Sequence, residues 1–108
     1  MSEGTSSANP LPRWLTAGLR AEASDLHLVA ARPPVLRVHG GLQEMDGPPL
    51  DGDALRELLL PLCPETARER FEDEKHVDFS WTVELDGGLR RFRVNVFHSG
   101  RQVGACFR

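Results

Sequence analysis

The sequence predicts an α+β domain built on an antiparallel sheet, and three features carry that prediction. In HVDFSWTVEL, Val77, Phe79, Trp81, Val83 and Leu85 alternate with His76, Asp78, Ser80, Thr82 and Glu84, the period of a strand with one buried face. Asp86-Gly87-Gly88 and Ser99-Gly100 then separate two more alternating runs, Phe92, Val94, Val96 and Val103, Ala105, Phe107. Consecutive strands that return through short turns pair antiparallel. Upstream, apolar residues recur at helical spacing in two stretches, which gives the order α-β-β-α-α-β-β-β, with the helices packed on one face of the sheet.

The elements follow in sequence. Residues 1–10, MSEGTSSANP, are small, polar and aperiodic, as in a disordered N-terminal extension; the domain spans 11–108. Pro12 suits a first helical turn, and Leu11, Trp14, Leu15, Gly18 and Leu19 line an apolar face that predicts a helix running to Ala23. Asp25 to Ala31 reads as a strand, and Pro33-Pro34 separates it from a second, Val35 to His39. Gly40-Gly41 turns the chain into a short continuation, Leu42 to Met45. Asp51 or Asp53 caps a helix whose core face is Leu55, Leu58, Leu59 and Leu62. Pro64 opens another, Glu65 to Asp73, charged around most of its circumference and anchored by Phe71.

A chain of 108 residues holds one domain at most, and its composition is that of a globular one, 40% hydrophobic, 27% charged, net charge -3. That balance argues against a nucleic-acid partner. No apolar run approaches the roughly 20 residues that cross a bilayer, and the start lacks the basic and apolar regions of a secretory signal; a cytoplasmic protein is expected. Cys63 and Cys106 have no CxxC spacing and read as small buried hydrophobes, with no metal site. Phosphate-loop, dinucleotide, zinc-protease and serine-nucleophile motifs are absent, so these residues alone are not expected to form an enzyme or to hold a cofactor.

Two features raise chemistry. Asp25 and His27 in ASDLHL have the spacing of many catalytic and metal sites, but on a strand they are first the polar side of an amphipathic segment. Charge is also segregated: Glu65 to Asp86 holds eight acids against Arg68, Arg70 and Lys75, whereas Gly87 to Arg108 holds Arg90, Arg91, Arg93, Arg101 and Arg108 and no acid. Arginines on adjacent strands either pair across the sheet with Asp78 and Glu84 or converge into a patch that grips phosphate bidentately. Arg93 and Arg108 lie opposite the apolar faces of their strands, which keeps the second role open for them.

The ordered series ASDLHL, RPPVLRVHGGL, a leucine-rich helix, VDFSW, RFRVNVF and GACFR, over Leu11 to Arg108, resembles the N-terminal domain of the type IV pilus retraction ATPase (PilT) family, within the type II secretion and type IV pilus ATPase superfamily. The resemblance implies a PAS-like domain joined, in the longer protein, to a RecA-like ATPase core that carries the phosphate loop, binds ATP and magnesium, and assembles into a cytoplasmic hexamer associated peripherally with the inner membrane. Partners implied are that core, neighbouring subunits and the inner-membrane platform protein of the pilus. It further implies that Arg93 in RFRVN and Arg108 in ACFR approach ATP phosphates as arginine fingers, with Arg37 in LRVHG a weaker candidate. This chain departs from the family in having His39 before the glycine of RVHG and Gln102-Val103 where the family has small residues. The competing reading from the residues is a free-standing PAS-like module for ligand binding or signalling.

Overall fold

The structure, a computed structural model, describes residues 9–108; of the extension expected at 1–10, all but Asn9 and Pro10 lies outside the described residues. Helix α1 (Leu11–Arg20) starts where Asn9 Oδ1 accepts from the Leu11 N–H at 3.1 Å, with Pro12 in the first turn. It ends three residues before the expected Ala23. Glu22 adopts φ 59°, the Ala23 N–H bonds the Gly18 carbonyl at 2.9 Å and the Glu22 N–H bonds Leu19 at 3.1 Å, the pairing of a Schellman stop built without glycine. Strand β1 (Asp25–Leu28) likewise stops short of Ala31. There the Ala31 N–H turns to the Leu50 carbonyl at 2.8 Å and the Leu50 N–H returns to Arg32 at 2.9 Å, which takes those groups out of the sheet.

β2 (Val35–Val38) and β3 (Gly41–Glu44) form a hairpin, but its turn is His39-Gly40, one residue earlier than expected, with φ 50° and 80°. Both positive angles suit a two-residue turn that matches strand twist. Helix α2 (Gly52–Leu59) is capped by Asp51, whose carboxylate accepts from the Ala54 N–H at 3.0 Å, satisfying one orphan donor of the first turn. A 3₁₀ turn (Leu60–Leu62) leads to α3 (Glu65–Glu74), which ends at Lys75 in the left-handed region. β4 (His76–Leu85) and β5 (Gly88–Ser99) close through Asp86-Gly87, φ 52° and 83°, and β6 (Gln102–Phe107) follows Gly100.

The six strands form one antiparallel sheet in the order β3-β2-β1-β6-β5-β4. The last strand is therefore an interior one, wedged between β1 and β5. One face carries Leu26, Leu28, Leu36, Val77, Leu85, Val94, Val96, Val103, Ala105 and Phe107, all buried. Over it, α1 packs on β1 and β4, α2 on β6 and α3 on β4, contributing Leu11, Leu15, Leu55, Leu59, Ala67 and Phe71 to the same core. Trp81, Phe92 and Phe107 meet at ring separations of 6.0 to 6.4 Å, within the range of favourable edge-to-face pairs. This is the α+β fold, helices on one face, that the sequence predicts.

β6 is buried on both sides from Val103 to Phe107, so its outward positions must be small. At Gly104 an added Cβ would sit 2.7 Å from the Phe97 ring and 3.0 Å from the Leu28 carbonyl oxygen. Gly104→Ala therefore forces backbone or ring to move and should cost about 1–3 kcal/mol, lowering the melting temperature by about 4 °C or more. A variant melting like the wild type would show that the neighbouring strand yields freely.

Cys63 and Cys106 are both buried. Burial pushes the Cys63 thiol above its ordinary value of 9.0, against a smaller opposite pull from Arg68. Burial also raises Cys106, Asp25 adds to it, and Arg108 and Arg37 oppose. A thiol that holds its proton more tightly folded than unfolded gives stability that is complete below the unfolded value and is lost as pH rises through the folded one. Because the chain has no tyrosine and a single lysine, few other groups compete there. Stability by urea unfolding should fall above pH 9.0, at up to about 1.4 kcal/mol per pH unit for each thiol, and a Cys63→Ala, Cys106→Ala double variant should flatten the decline. An unchanged decline in that variant would contradict the assignment.

Candidate anion-binding site

The face of the sheet away from the helices carries the polar strand residues, with Val35, Leu42, Phe97 and Cys106 among them, and strand register arranges it in rows. Arg37 pairs with Leu42 on β3 and with Asp25 on β1. One step beyond the Leu26–Phe107 pair, Asp25 faces Arg108. Arg108 and Arg93 exchange backbone hydrogen bonds at 2.9 and 3.0 Å, and Arg93 lies opposite Ser80. A single line thus runs Arg37, Asp25, Arg108, Arg93, Ser80 across five strands. The structure brings together all three arginines singled out from the sequence, and it adds Asp25, which the strand pattern had left as polar surface.

Asp25 holds this row. Its Oδ2 pairs with Arg37 Nε at 3.3 Å and its Oδ1 with Arg108 Nε at 3.4 Å, while the Ser24 hydroxyl donates to Oδ2 at 3.1 Å. The Asp25 side chain is 14% exposed, against 41% for Arg37 and 70% for Arg108, so the carboxylate lies at the sheet and the guanidiniums stand over it. Arg37 spends an Nη on the Gly40 carbonyl at 3.4 Å. Among the described residues the Arg108 side chain donates no hydrogen bond to a carboxylate or carbonyl oxygen, and Arg93 makes no ion pair. Three guanidiniums against one carboxylate leave the row cationic and open to solvent.

The arginines expected to pair across strands do not. The two-residue Asp86-Gly87 turn sets Arg91 opposite Thr82, Arg90 opposite Val83 and Glu84 opposite Leu89, and Asp78 accepts from Asn95 Nδ2 at 3.1 Å. Among the described residues Arg90, Arg91 and Arg101 form no ion pair, so the cross-strand pairing with Asp78 and Glu84 is corrected by register. Counting outward from that turn would have found this in the sequence, because each pair of facing positions is then fixed.

The next row is Val35, His27, Cys106, Asn95 and Asp78. His27 Nε2 is buried without a hydrogen-bond partner among the described residues. Asp25 and His27 do not converge on a reacting centre, since Asp25 is engaged by two arginines. Among the described residues no group of three or more His, Cys, Asp or Glu could hold a metal ion, and no helix is long and apolar enough to cross a membrane.

The cavities do not enclose a ligand at the row. A cleft of about 40 Å³ adjoins Asp25 and Arg108, far below the ~300 Å³ at which small-molecule sites begin. A shallower hollow of about 460 Å³ lies elsewhere, between α1 and the β4–β5 hairpin, where Arg20 and Asp86 are already paired at 3.1 Å. Among the described residues the arginine row is a wall without an opposing wall.

No protein-family model matches the chain. It is 41% identical over 86 residues, 80% of its length, to the type IV pilus retraction ATPase PilT of Pseudomonas aeruginosa, and 29% identical over 80 residues, 74% of its length, to a twitching motility protein of Neisseria gonorrhoeae. The crystal structure of the pilus retraction motor PilT with bound ADP superposes over 91% of the chain with a TM-score of 0.79 and 32% identity. The chain spans 24%, 21% and 28% of the lengths of these proteins. Likeness of sequence and fold over the same stretch places the chain, as an N-terminal domain, in the PilT/secretion ATPase family.

Proposed function

We propose that this chain is the N-terminal domain, residues 11–108, of a type IV pilus retraction ATPase, and that its arginine row forms one side of an interdomain ATP site. The observation that carries this is the row itself: Arg108 and Arg93 stand side by side on an open sheet face and, among the described residues, meet no carboxylate beyond Asp25. Guanidiniums so placed grip phosphate oxygens and stabilise the charge that develops during phosphoryl transfer. The missing wall is then the RecA-like core of the longer protein, with its phosphate loop, ATP and magnesium. Arg37, tied to Asp25 and Gly40, is the weaker phosphate ligand of the three.

On this reading the domain supplies charge and movement. Swinging the sheet face toward or away from the core makes or breaks the arginine contacts, so ATP turnover in a cytoplasmic hexamer becomes a domain motion passed to neighbouring subunits and, beyond them, to the inner-membrane platform of the pilus. The 41% identity to PilT over 80% of the chain supports retraction as the task.

In the full-length ATPase, Arg108→Ala and Arg93→Ala should each lower kcat by about 100-fold or more while changing the KM for ATP by less than about 3-fold, the pattern of contacts made in the transition state. Steady-state hydrolysis by purified hexamers checks this. Wild-type turnover in both variants would remove the finger role, and a raised KM with unchanged kcat would reassign the arginines to ground-state binding.

A further inference from the structure

We propose that Asp25 is a positioning residue for the phosphate-binding arginines, a two-sided clamp that fixes Arg108 and Arg37 by their Nε atoms and leaves guanidinium edges turned outward to receive a phosphate; this rests on the phosphate reading above. Each Asp25 oxygen takes a different arginine as an ion pair, Oδ2 with Arg37 Nε at 3.3 Å and Oδ1 with Arg108 Nε at 3.4 Å. An arginine engaged at Nε is oriented by that contact and keeps its Nη atoms for a second acceptor; Arg108 keeps both, and Arg37 keeps one, its other Nη lying on the Gly40 carbonyl. Had the carboxylate met the Nη pair end-on, it would have occupied the groups that phosphate needs.

The clamp is itself fixed. Ser24 Oγ donates to Asp25 Oδ2 at 3.1 Å, and the Ser24 N–H bonds the Arg37 carbonyl at 2.9 Å. Asp25 thus sits at the first position of β1 with its side chain tied to the same pair of strands it spans. Arg93, one strand farther along the row, is outside its reach and serves as an internal reference.

Charge and geometry predict opposite results for its removal. Replacing Asp25 by asparagine deletes a negative charge from a cationic row, which by Coulomb attraction alone strengthens anion binding. If Asp25 positions the arginines, the neutral variant loses their preorganisation and binds more weakly. The 108-residue chain, labelled with ¹⁵N, provides both readouts: hydrogen exchange of the arginine Nε–H groups by NMR, and titration with inorganic tripolyphosphate.

In the wild type, the Arg37 and Arg108 Nε protons should exchange more slowly than those of Arg90 and Arg101, and tripolyphosphate should shift Arg108 and Arg93. In Asp25→Asn that protection should disappear, Arg93 should keep its wild-type exchange, and affinity should drop about five-fold or more. Tighter tripolyphosphate binding in Asp25→Asn, or unchanged Nε exchange, overturns the clamp. If the wild type binds no tripolyphosphate while Asp25→Asn still loses the protection, the phosphate reading fails and the clamp stands as a purely structural contact, which overturns its positioning role. Should Asp25→Asn lose the fold, Ser24→Ala removes one support of the carboxylate, and the same two effects, smaller in size and alike in direction, are expected; their absence in a folded Ser24→Ala overturns the proposal.

Discussion

The insertion of β6 between β1 and β5 decides most of what this domain can do. Without it the sheet would be a three-stranded meander, β1–β2–β3, and a separate hairpin, β4–β5, each with the edge that faces β6 left open and only part of a core. With it, Phe107 meets both Leu26 and Val94, and the helices find one continuous apolar face to cover. The demand this makes on the chain is visible in β6: Gly104, Ala105 and Cys106 are small and buried, because neighbouring strands and the Phe97 ring close over them. Long-range pairing of this kind is costly in chain entropy before it is rewarded, which is why the closing strand must fit well once it arrives.

The same insertion creates the arginine row. Arg108 lies one residue past the Phe107 that locks β6 into place, so the register that completes the core also sets Arg108 between Asp25 and Arg93. Such a row does little for stability. Exposed ion pairs contribute about 0–1 kcal/mol each, and setting Arg93 beside Arg108 works against folding by like-charge repulsion. Two adjacent arginines from which the sheet gains little fit the proposal of an anion that comes from outside the domain. Core and site are thus coupled through register: a slip of one residue in β6 would turn Arg108 to the apolar side and Phe107 to solvent.

Much of this was legible in the sequence. Period-two alternation in HVDFSWTVEL located β4, Asp86-Gly87 located its hairpin, and Asp51 or Asp53 marked the start of α2, where the structure uses Asp51, each because a local rule acts within a few residues. The motif series from ASDLHL to GACFR placed the family. The ends of α1 and β1 were misjudged because Glu22 and Ala31 take left-handed conformations that nothing in their residue types announces. The strand pattern marks Asp25 as the polar side of β1, suited to holding the sheet or an interdomain contact, but its partnership with Arg108 depends on β1 lying beside β6, far along the chain. The pairing of Arg90 and Arg91 with acids was wrong for a reason that could have been counted, as the two-residue turn fixes Val83 and Thr82 opposite them.

The central claim is that the outer face of this sheet completes an ATP site whose other half lies in a following core. The most direct test is a structure of the full-length ATPase with a non-hydrolysable ATP analogue and magnesium. The account predicts guanidinium nitrogens of Arg108 and Arg93 within about 3 Å of the β- or γ-phosphate oxygens in at least one subunit, with Asp25 still at the Arg108 Nε. If both arginines instead face solvent or another protein surface in every nucleotide-filled subunit, the row serves some other anion and the account fails.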